Sequence, residues 1–348
     1  MFTLKIFDKR KLKTDPFFIA EVGQNHQGDF DLAKRYIEEF SRLGATAVKF
    51  QMRDNRSLFS TQKYNSLYNS ENAFAATYGE HREALELSAN QLFDLKNVAH
   101  NNNCLFMVTP FDEISLLKLV EMDIDIFKIA SFDLGNLSFI RKICAANKPT
   151  VLSVGGGSID HISASVEVLS HLEDHAILHC VSQYPCPADK LNLQQISILQ
   201  KMFKTSVIGL SDHFSGISNG PISYMLGARV FEKHVTFSRA WKGTDHPFSL
   251  LPEGFRKFVR DIRQTPRMLT DTDQSDLGNE SVFQKLGKKI VASRDMKKGE
   301  RINETDLTFI ITDSDGLSVR SAYMLIGKHV TQKISKGELI NKMKIANF

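Results

Sequence analysis

The chain reads as an α/β protein, a (β/α)8 TIM barrel followed by a small β-rich domain, and three observations predict that class. Eight short apolar runs, each followed by a helix-length segment, end at Glu21, Lys49 with Gln51, Thr109, Lys128 with Ser131, Ser153, Ser182, Ser211 with His213, and His234. The runs lack strict alternation, as strands covered on both faces require. Beyond residue 286 the pattern changes to short strands and Lys-Gly-Glu turns. Strand C-termini of such a barrel open onto one face, so the chemistry is to be sought at the run ends.

The elements follow in order. FFIAEVG (17–23) is the first strand; the helix after it runs from Asp31, an N-cap residue, to a stop at Gly44. AVKFQ is the second strand. Residues 52–87 are polar and aromatic without a sustained period and read as one long loop over the barrel mouth, a lid. The alternation then continues with a helix near 88–103, strand LFMVTP, helix EISLLKLVEMD, strand IFKIAS, helix LSFIRKICAANK, strand TVLSV and helix IDHISASVEVLSHL. It closes with AILHCVS, LNLQQISILQKMF, SVIGLSDH, a helix around 221–227, RVFEKHV and LPEGFRKFVRDIRQ. Residues 1–265 are thus the barrel, and 266–286, where periodicity lapses among Asp, Thr, Ser and Gln, a linker. Residues 287–348 form the second domain. LGKKIVASRDMKKGERI and IGKHVTQKISKGELI make a weak internal repeat at its heart.

Composition narrows the function. With 348 residues, 42% hydrophobic and 24% charged, the chain can bury one large core and a small second one. A net charge of +4 from 44 basic and 40 acidic residues, without a basic block, argues against nucleic acid as a partner. No window approaches the ~20 apolar residues of a membrane span, and MFTLKIFDKRK has no signal-length apolar run, so a cytoplasmic location and no membrane partner are expected. Cys104, Cys144, Cys180 and Cys186 show no CxxC spacing and are expected to be reduced and mostly structural.

Lys49 and Lys128, at the ends of two barrel strands, are costly to bury unless each meets an anion, and with the hydroxyls at other strand ends they suggest a clamp for phosphate or carboxylate. A Schiff-base lysine is the rival reading. Gly155–Gly157 before Ser158 can aim backbone N–H groups at a phosphate or serve simply as a tight turn. His213 and His234 end adjacent strands and can bind a divalent metal, Mn2+ or Mg2+ rather than Zn2+ since no thiolate adjoins them in sequence. Glu21, Asp133, Tyr184 and Asp245 can hold sugar hydroxyls or move protons.

At these residues the chain resembles the N-acetylneuraminate (sialic acid) synthase family, which includes legionaminate and pseudaminate synthases and ends in an antifreeze-like (SAF) domain. IAEVGQNHQGD, AVKFQ, TPFD, FKIAS, LHCVSQYPCP, GLSDH, EKHVT and WKGTDHPFSL follow in the family order. The resemblance implies metal-dependent condensation of phosphoenolpyruvate (PEP) with an open-chain N-acetylmannosamine-type aminosugar, giving a nonulosonic acid and phosphate. It implies that Lys49, Thr109, Lys128, Ser131, Ser153, Ser182, Tyr184 and Ser211 hold PEP, and that His213 and His234 hold the metal. Glu21, Gln51, Asp133, Tyr184 and Asp245 would face the sugar, and the catalytic roles fall to Glu21, Lys49, Lys128 and His234. A domain-swapped homodimer is expected on the same ground.

SVGGGS replaces the family's usual Ser-Thr-Gly-Met, Asp133 stands where Glu is common, and ITDSDGLSVR lacks the arginine that many bacterial members send into the partner barrel, with Arg320 as a possible substitute. The alternatives are a synthase for a 2,4-diacetamido sugar, a Schiff-base aldolase, and a non-catalytic carbohydrate-binding or assembly protein.

Overall fold

The computed structural model describes residues 5–270 and 281–348. Helix α1 (Lys9–Thr14) precedes strand β1 (Phe17–Gly23), helix α2 (Phe30–Arg42) and strand β2 (Ala47–Met52). Three short helices follow, α3 (Asn55–Leu58), α4 (Thr61–Tyr64) and α5 (Tyr78–Glu83), then α6 (Ala89–Asn101). The alternation continues as β3 (Leu105–Pro110), α7 (Glu113–Glu121), β4 (Ile126–Ile129), α8 (Leu137–Ala145), β5 (Thr150–Ser153) and α9 (Ile159–Leu169). It ends with β6 (His175–Cys180), α10 (Gln194–Met202), β7 (Val207–Asp212), α11 (Asn219–Met225), β8 (Val230–His234) and α12 (Pro252–Met268).

Strands β1 to β8 are parallel, hydrogen-bonded in sequence order, and closed by β1 against β8. Because side chains alternate along each strand, two cores form. Phe18, Ala20, Val48, Phe50, Phe106, Phe127, Leu152 and Ile177 pack outward against the helices. Phe17, Ile19, Ala47, Met107, Ile126, Val151, Ala176, Leu178, Val207 and Val230 fill the barrel interior, joined by Phe7 and Leu12, which precede and belong to α1. That helix escaped the sequence reading because KRKLKT offers one buried apolar residue, Leu12, and hence no period.

Two expectations need correction. Residues 52–87 are not one irregular loop but carry α3, α4 and α5, each started by a side-chain cap from Asp54, Ser60 and Thr77. Thr77 and Glu80 form a reciprocal capping box, a signal present in the sequence as TYGE. The expected linker start at 266 also fails: α12 runs through Pro266 to Met268, held by the buried row Phe255, Phe258, Val259, Ile262 and Thr265. Residues 271–280 of that linker lie outside the described residues, and 281–286 form helix α13 (Ser281–Leu286).

Contacts divide the chain into two compact units, residues 1–269 and 270–348. In the second, β9 (Lys289–Ala292) pairs antiparallel with β10 (Leu307–Ile310), followed by helix α14 (Ala322–Leu325). The internal repeat is structural: Gly299 and Gly337 take φ of +87° and +78° in the two Lys-Gly-Glu turns, a region favouring glycine. Ile290, Met296, Ile302, Leu325, Val330, Ile334 and Ile340 form this unit's core. Among the described residues no helix is long and apolar enough to cross a membrane.

Candidate active site

One step toward the C-terminal ends of the strands, the inward positions turn from apolar to polar. Glu21 follows Ile19, Lys49 follows Ala47, Lys128 follows Ile126, Ser153 follows Val151 and Glu232 follows Val230, each two residues on and on the same face. Four of these carry charge and all are buried. Lys49 Nζ lies 2.8 Å from Glu21 Oε2 and 3.6 Å from Glu232 Oε1. Lys128 Nζ lies 3.7 Å from the same Glu232 oxygen, which also accepts from the Ser211 hydroxyl at 3.1 Å. Lys49 donates to Thr109 Oγ1 at 3.4 Å, and Gln51 Nε2 donates to Glu21 Oε1 at 2.8 Å.

Burial acts on all four groups, and their neighbours decide the outcome. It pushes Glu21 up to about 7, with the Glu232 charge adding to it and Lys49 opposing. Burial also works against an ionised Glu232, but Lys128 and Lys49 outweigh it and hold that carboxyl at about 2. Burial and the adjacent Lys49 lower Lys128, against Glu232, whereas Glu21 and Glu232 overcome burial to raise Lys49. Around neutral pH the floor therefore holds one firm anion, Glu232, and one carboxyl near its midpoint, Glu21, beside the two lysines.

Above this floor opens a cavity of about 850 Å³. It brings together twelve of the residues singled out in the sequence: Glu21, Lys49, Gln51, Thr109, Lys128, Ser131, Ser153, Tyr184, Ser211, His213, His234 and Asp245. Two others stand apart. Ser182 is exposed beyond the end of β6, and Asp133 lines a separate depression with Asp112 and Asn136, its Oδ1 accepting from Asn136 Nδ2 at 3.2 Å. In the glycine turn Gly156 has φ +72°, and Gly155 N–H donates to Ser131 Oγ at 3.0 Å. A side chain at Gly155 would meet Ser182 Oγ at 2.6 Å, so close packing asks for glycine there, and the left-handed φ asks for it at Gly156.

The imidazoles of His213 and His234 lie 5.4 Å apart, centroid to centroid. Val181 O lies 2.8 Å from His213 Nδ1; a carbonyl only accepts, so Nδ1 carries a proton and Nε2 is the nitrogen left to face a ligand. Burial lowers His234, opposed by Asp245, whose Oδ2 is 3.7 Å from Nδ1. His234 Nδ1, Glu232 Oε2 and Ser153 Oγ are buried without a hydrogen-bond partner among the described residues. These atoms fit a bound ion and substrate oxygens. Among the described residues no group of three or more His, Cys, Asp or Glu side chains gathers tightly enough to hold a metal alone, so water and substrate would complete the shell.

The profile described as the NeuB family matches residues 36–274, and that of the SAF domain residues 289–346. The chain belongs to the NeuB family. It is 33% identical to the human N-acetylneuraminate-9-phosphate synthase, across 95% of this chain and 93% of that protein. It is also 33% identical to the N,N'-diacetyllegionaminic acid synthase of Campylobacter jejuni, across 93% and 98%. The crystal structure of an N-acetylneuraminic acid (sialic acid) synthetase from Leptospira borgpetersenii in complex with citrate superposes with a TM-score of 0.66 at 29% identity, covering 78% of this chain and 90% of that one.

Sequence reasoning missed several residues lining the cavity of this NeuB-family barrel. Glu232 had a legible signal, since it precedes His234 by two positions on one strand and so shares its face. Cys180 was read as structural, yet it ends β6 facing the cavity. Burial opposes its ionisation, but His213, Lys128 and Ser131 outweigh it and lower the thiol. Gln24, Arg53, Tyr78, Arg82 and Thr244 also line the cavity, and they sit on connections whose path no period foretells.

Proposed function

We propose that this NeuB-family enzyme condenses PEP with the open-chain aldehyde of an N-acylated aminosugar, forming a carbon–carbon bond and releasing phosphate, with a divalent metal as cofactor. The observation that carries the reading is the pair of lysines, Lys49 and Lys128, buried beside the two imidazoles in one cavity. PEP's carboxylate and phosphate are matched by the two ammonium groups, with Thr109, Ser131, Ser153 and Ser211 as hydroxyl donors. His213 and His234 would hold the ion, which when bound would polarise the acceptor's aldehyde oxygen.

Carbon 3 of PEP adds to the aldehyde carbon, and the aldehyde oxygen takes a proton to become a hydroxyl. The positive charge left at carbon 2 of PEP is stabilised by Glu232, the carboxylate held ionised beside the lysines. Water adds at carbon 2 and loses a proton, for which Glu21, poised near neutrality, is the acceptor. The resulting tetrahedral intermediate expels phosphate by carbon–oxygen cleavage as its carbon 2 hydroxyl gives its proton to the departing phosphate, leaving the 2-keto acid. Homodimerisation rests on family likeness, and sedimentation of the full chain tests it.

The decisive assay measures phosphate released from PEP, with Mn2+ or Mg2+, by N-acetylmannosamine, its 6-phosphate and 2,4-diacetamido relatives. PEP labelled with 18O at the bridging oxygen should deliver that label to phosphate. Binding of PEP without turnover on any of these sugars would refute the reading. The depressed pKa of Lys128 favours one rival, a Schiff-base aldolase. Borohydride trapping of a pyruvyl adduct on Lys128 would establish the rival, whereas loss of activity with a chelator supports the condensation.

A further inference from the structure

On the outer face of the sheet, behind the two imidazoles, lies an ion pair that the proposed chemistry does not use. Side chains alternate along a strand, so Ser211 and His213 point into the cavity while Asp212 between them points out; Glu232 and His234 point in while Lys233 points out. Asp212 and Lys233 are register partners on β7 and β8, and both are buried. The Lys233 ammonium donates to Asp212 Oδ2 and to the backbone carbonyl of Phe214. Asp212 Oδ1 accepts from the Phe214 N–H at 2.9 Å. The ring centroids of Phe214 and of Phe258 on α12 stand 5.9 and 6.0 Å from the ammonium.

Two features set this pair apart from ordinary packing. The preceding outward partners on the same two strands, Leu210 and Phe231, are apolar and belong to the core beneath the helices. An ion pair in such a layer adds little stability over two apolar side chains of similar size, because desolvation offsets most of the attraction. The switch from apolar to ionic also falls where the sheet ends. Strand β7 stops at Asp212, and Asp212 with Lys233 is the last register pair between β7 and β8. His213 lies one residue beyond. There the ionic pair takes over from the ladder: it grips the N–H and the C=O of Phe214, so the residues on both sides of His213 are tied to the one that precedes His234.

We infer that the Asp212–Lys233 pair positions the ion site, setting the separation and aim of the His213 and His234 imidazoles from the opposite face of the sheet. The inference rests on the divalent ion proposed above and deepens it. Two ligands on different strands serve one ion only when both reach it to within about 0.2 Å of their proper bond lengths. Val181 O orients the His213 ring, and the pair fixes where that residue's backbone stands relative to β8. Asp212 and Lys233 are thus positioning residues, not ligands.

The test titrates Mn2+ into the full chain and follows the free ion by electron paramagnetic resonance. The proteins are the wild type, His234→Ala, Asp212→Asn, and the double variant Asp212→Leu with Lys233→Met. The double variant exchanges the pair for apolar groups of similar size, so its urea midpoint should stay close to that of the wild type. Its Kd for Mn2+ should rise at least tenfold while its Kd for PEP without metal is unchanged. Asp212→Asn keeps an acceptor for the Phe214 N–H but removes the charge that holds Lys233, and should raise the Mn2+ Kd about threefold; it keeps the question measurable if the double variant does not fold. An unchanged Mn2+ Kd in a variant that folds would reduce the pair to packing and overturn the inference. Equal losses of Mn2+ and PEP binding would overturn it too, since they mark a general loosening of the barrel. If the wild type binds Mn2+ no better than His234→Ala, the ion site itself is wrong and the inference goes with it, a result distinct from the other two.

Discussion

The floor and the rim of the cavity handle charge in opposite ways. On the floor two lysines and two glutamates are buried together on strands whose register is fixed by the closed sheet. At the rim, Arg82 projects from α5 toward neutral oxygens and Lys242 is solvent-exposed. The floor must survive without substrate, and buried cations survive only beside anions. Cations at the rim keep water as a partner and can wait for a ligand. Pairing thus costs the floor some of its attraction for PEP, and the rim keeps its full charge at little expense to folding.

The difference is sharpest in stability. Glu232→Gln leaves Lys128 without its acid partner and Lys49 with Glu21 alone, and should destabilise the barrel by about 3 kcal/mol, the range for a broken buried pair. Lys242→Gln should change stability by no more than about 0.5 kcal/mol, as exposed substitutions do. Urea unfolding of both variants measures this directly. Similar midpoints would erase the distinction between floor and rim.

Binding separates the regions next. Lys128→Met should raise the KM for PEP about 100-fold, close to 3 kcal/mol, and shift the sugar KM far less. Glu232 keeps Lys49 and the Ser211 hydroxyl, so the fold should tolerate the change better than it tolerates Glu232→Gln. Steady-state kinetics with each substrate varied in turn gives the answer. Equal losses for both substrates would mean that the floor does not serve PEP alone.

Legibility in the sequence follows the same division. The barrel strands stood out because burial on both faces makes continuous apolar runs, and residues such as Lys49 and Lys128 are conspicuous at their ends. The alternation that placed them inward also placed Glu232 inward, yet that carboxylate was overlooked beside the more eye-catching His234. Ser182 lies two residues past the end of β6, exposed, with its hydroxyl against the Gly155 turn. The rim was unreadable for a different reason. Tyr78 and Arg82 are oriented by capping at Thr77 and by contacts 58 residues away in sequence, such as Arg82 with Gln24, and no local period encodes these.

The smallest expected effect concerns pH and probes how nearly the floor is balanced. Burial and the Glu232 charge bring Glu21 up to about 7, against the pull of Lys49. Below pH 7 Glu21 is protonated, and the floor carries one negative charge fewer than it does above pH 7. Above pH 7 Glu21 ionises and adds a negative charge beside the lysines, so PEP should bind more weakly as pH rises. For one charge about 8 Å away at an effective dielectric near 20 the repulsion is about 2 kcal/mol, and because Glu21 can take up a proton on binding, the loss is limited to roughly eightfold in Kd between pH 6 and pH 8. PEP ionises in the same interval, but that contribution is common to wild type and Glu21→Gln, and the variant retains an oxygen able to accept from Gln51. Glu21→Gln should therefore bind PEP at pH 8 relatively more tightly than the wild type, by about that factor, while the two converge at pH 6. Parallel binding curves for the two proteins would mean that Glu21 keeps one protonation state throughout, and that the floor's charge does not respond to pH in this range.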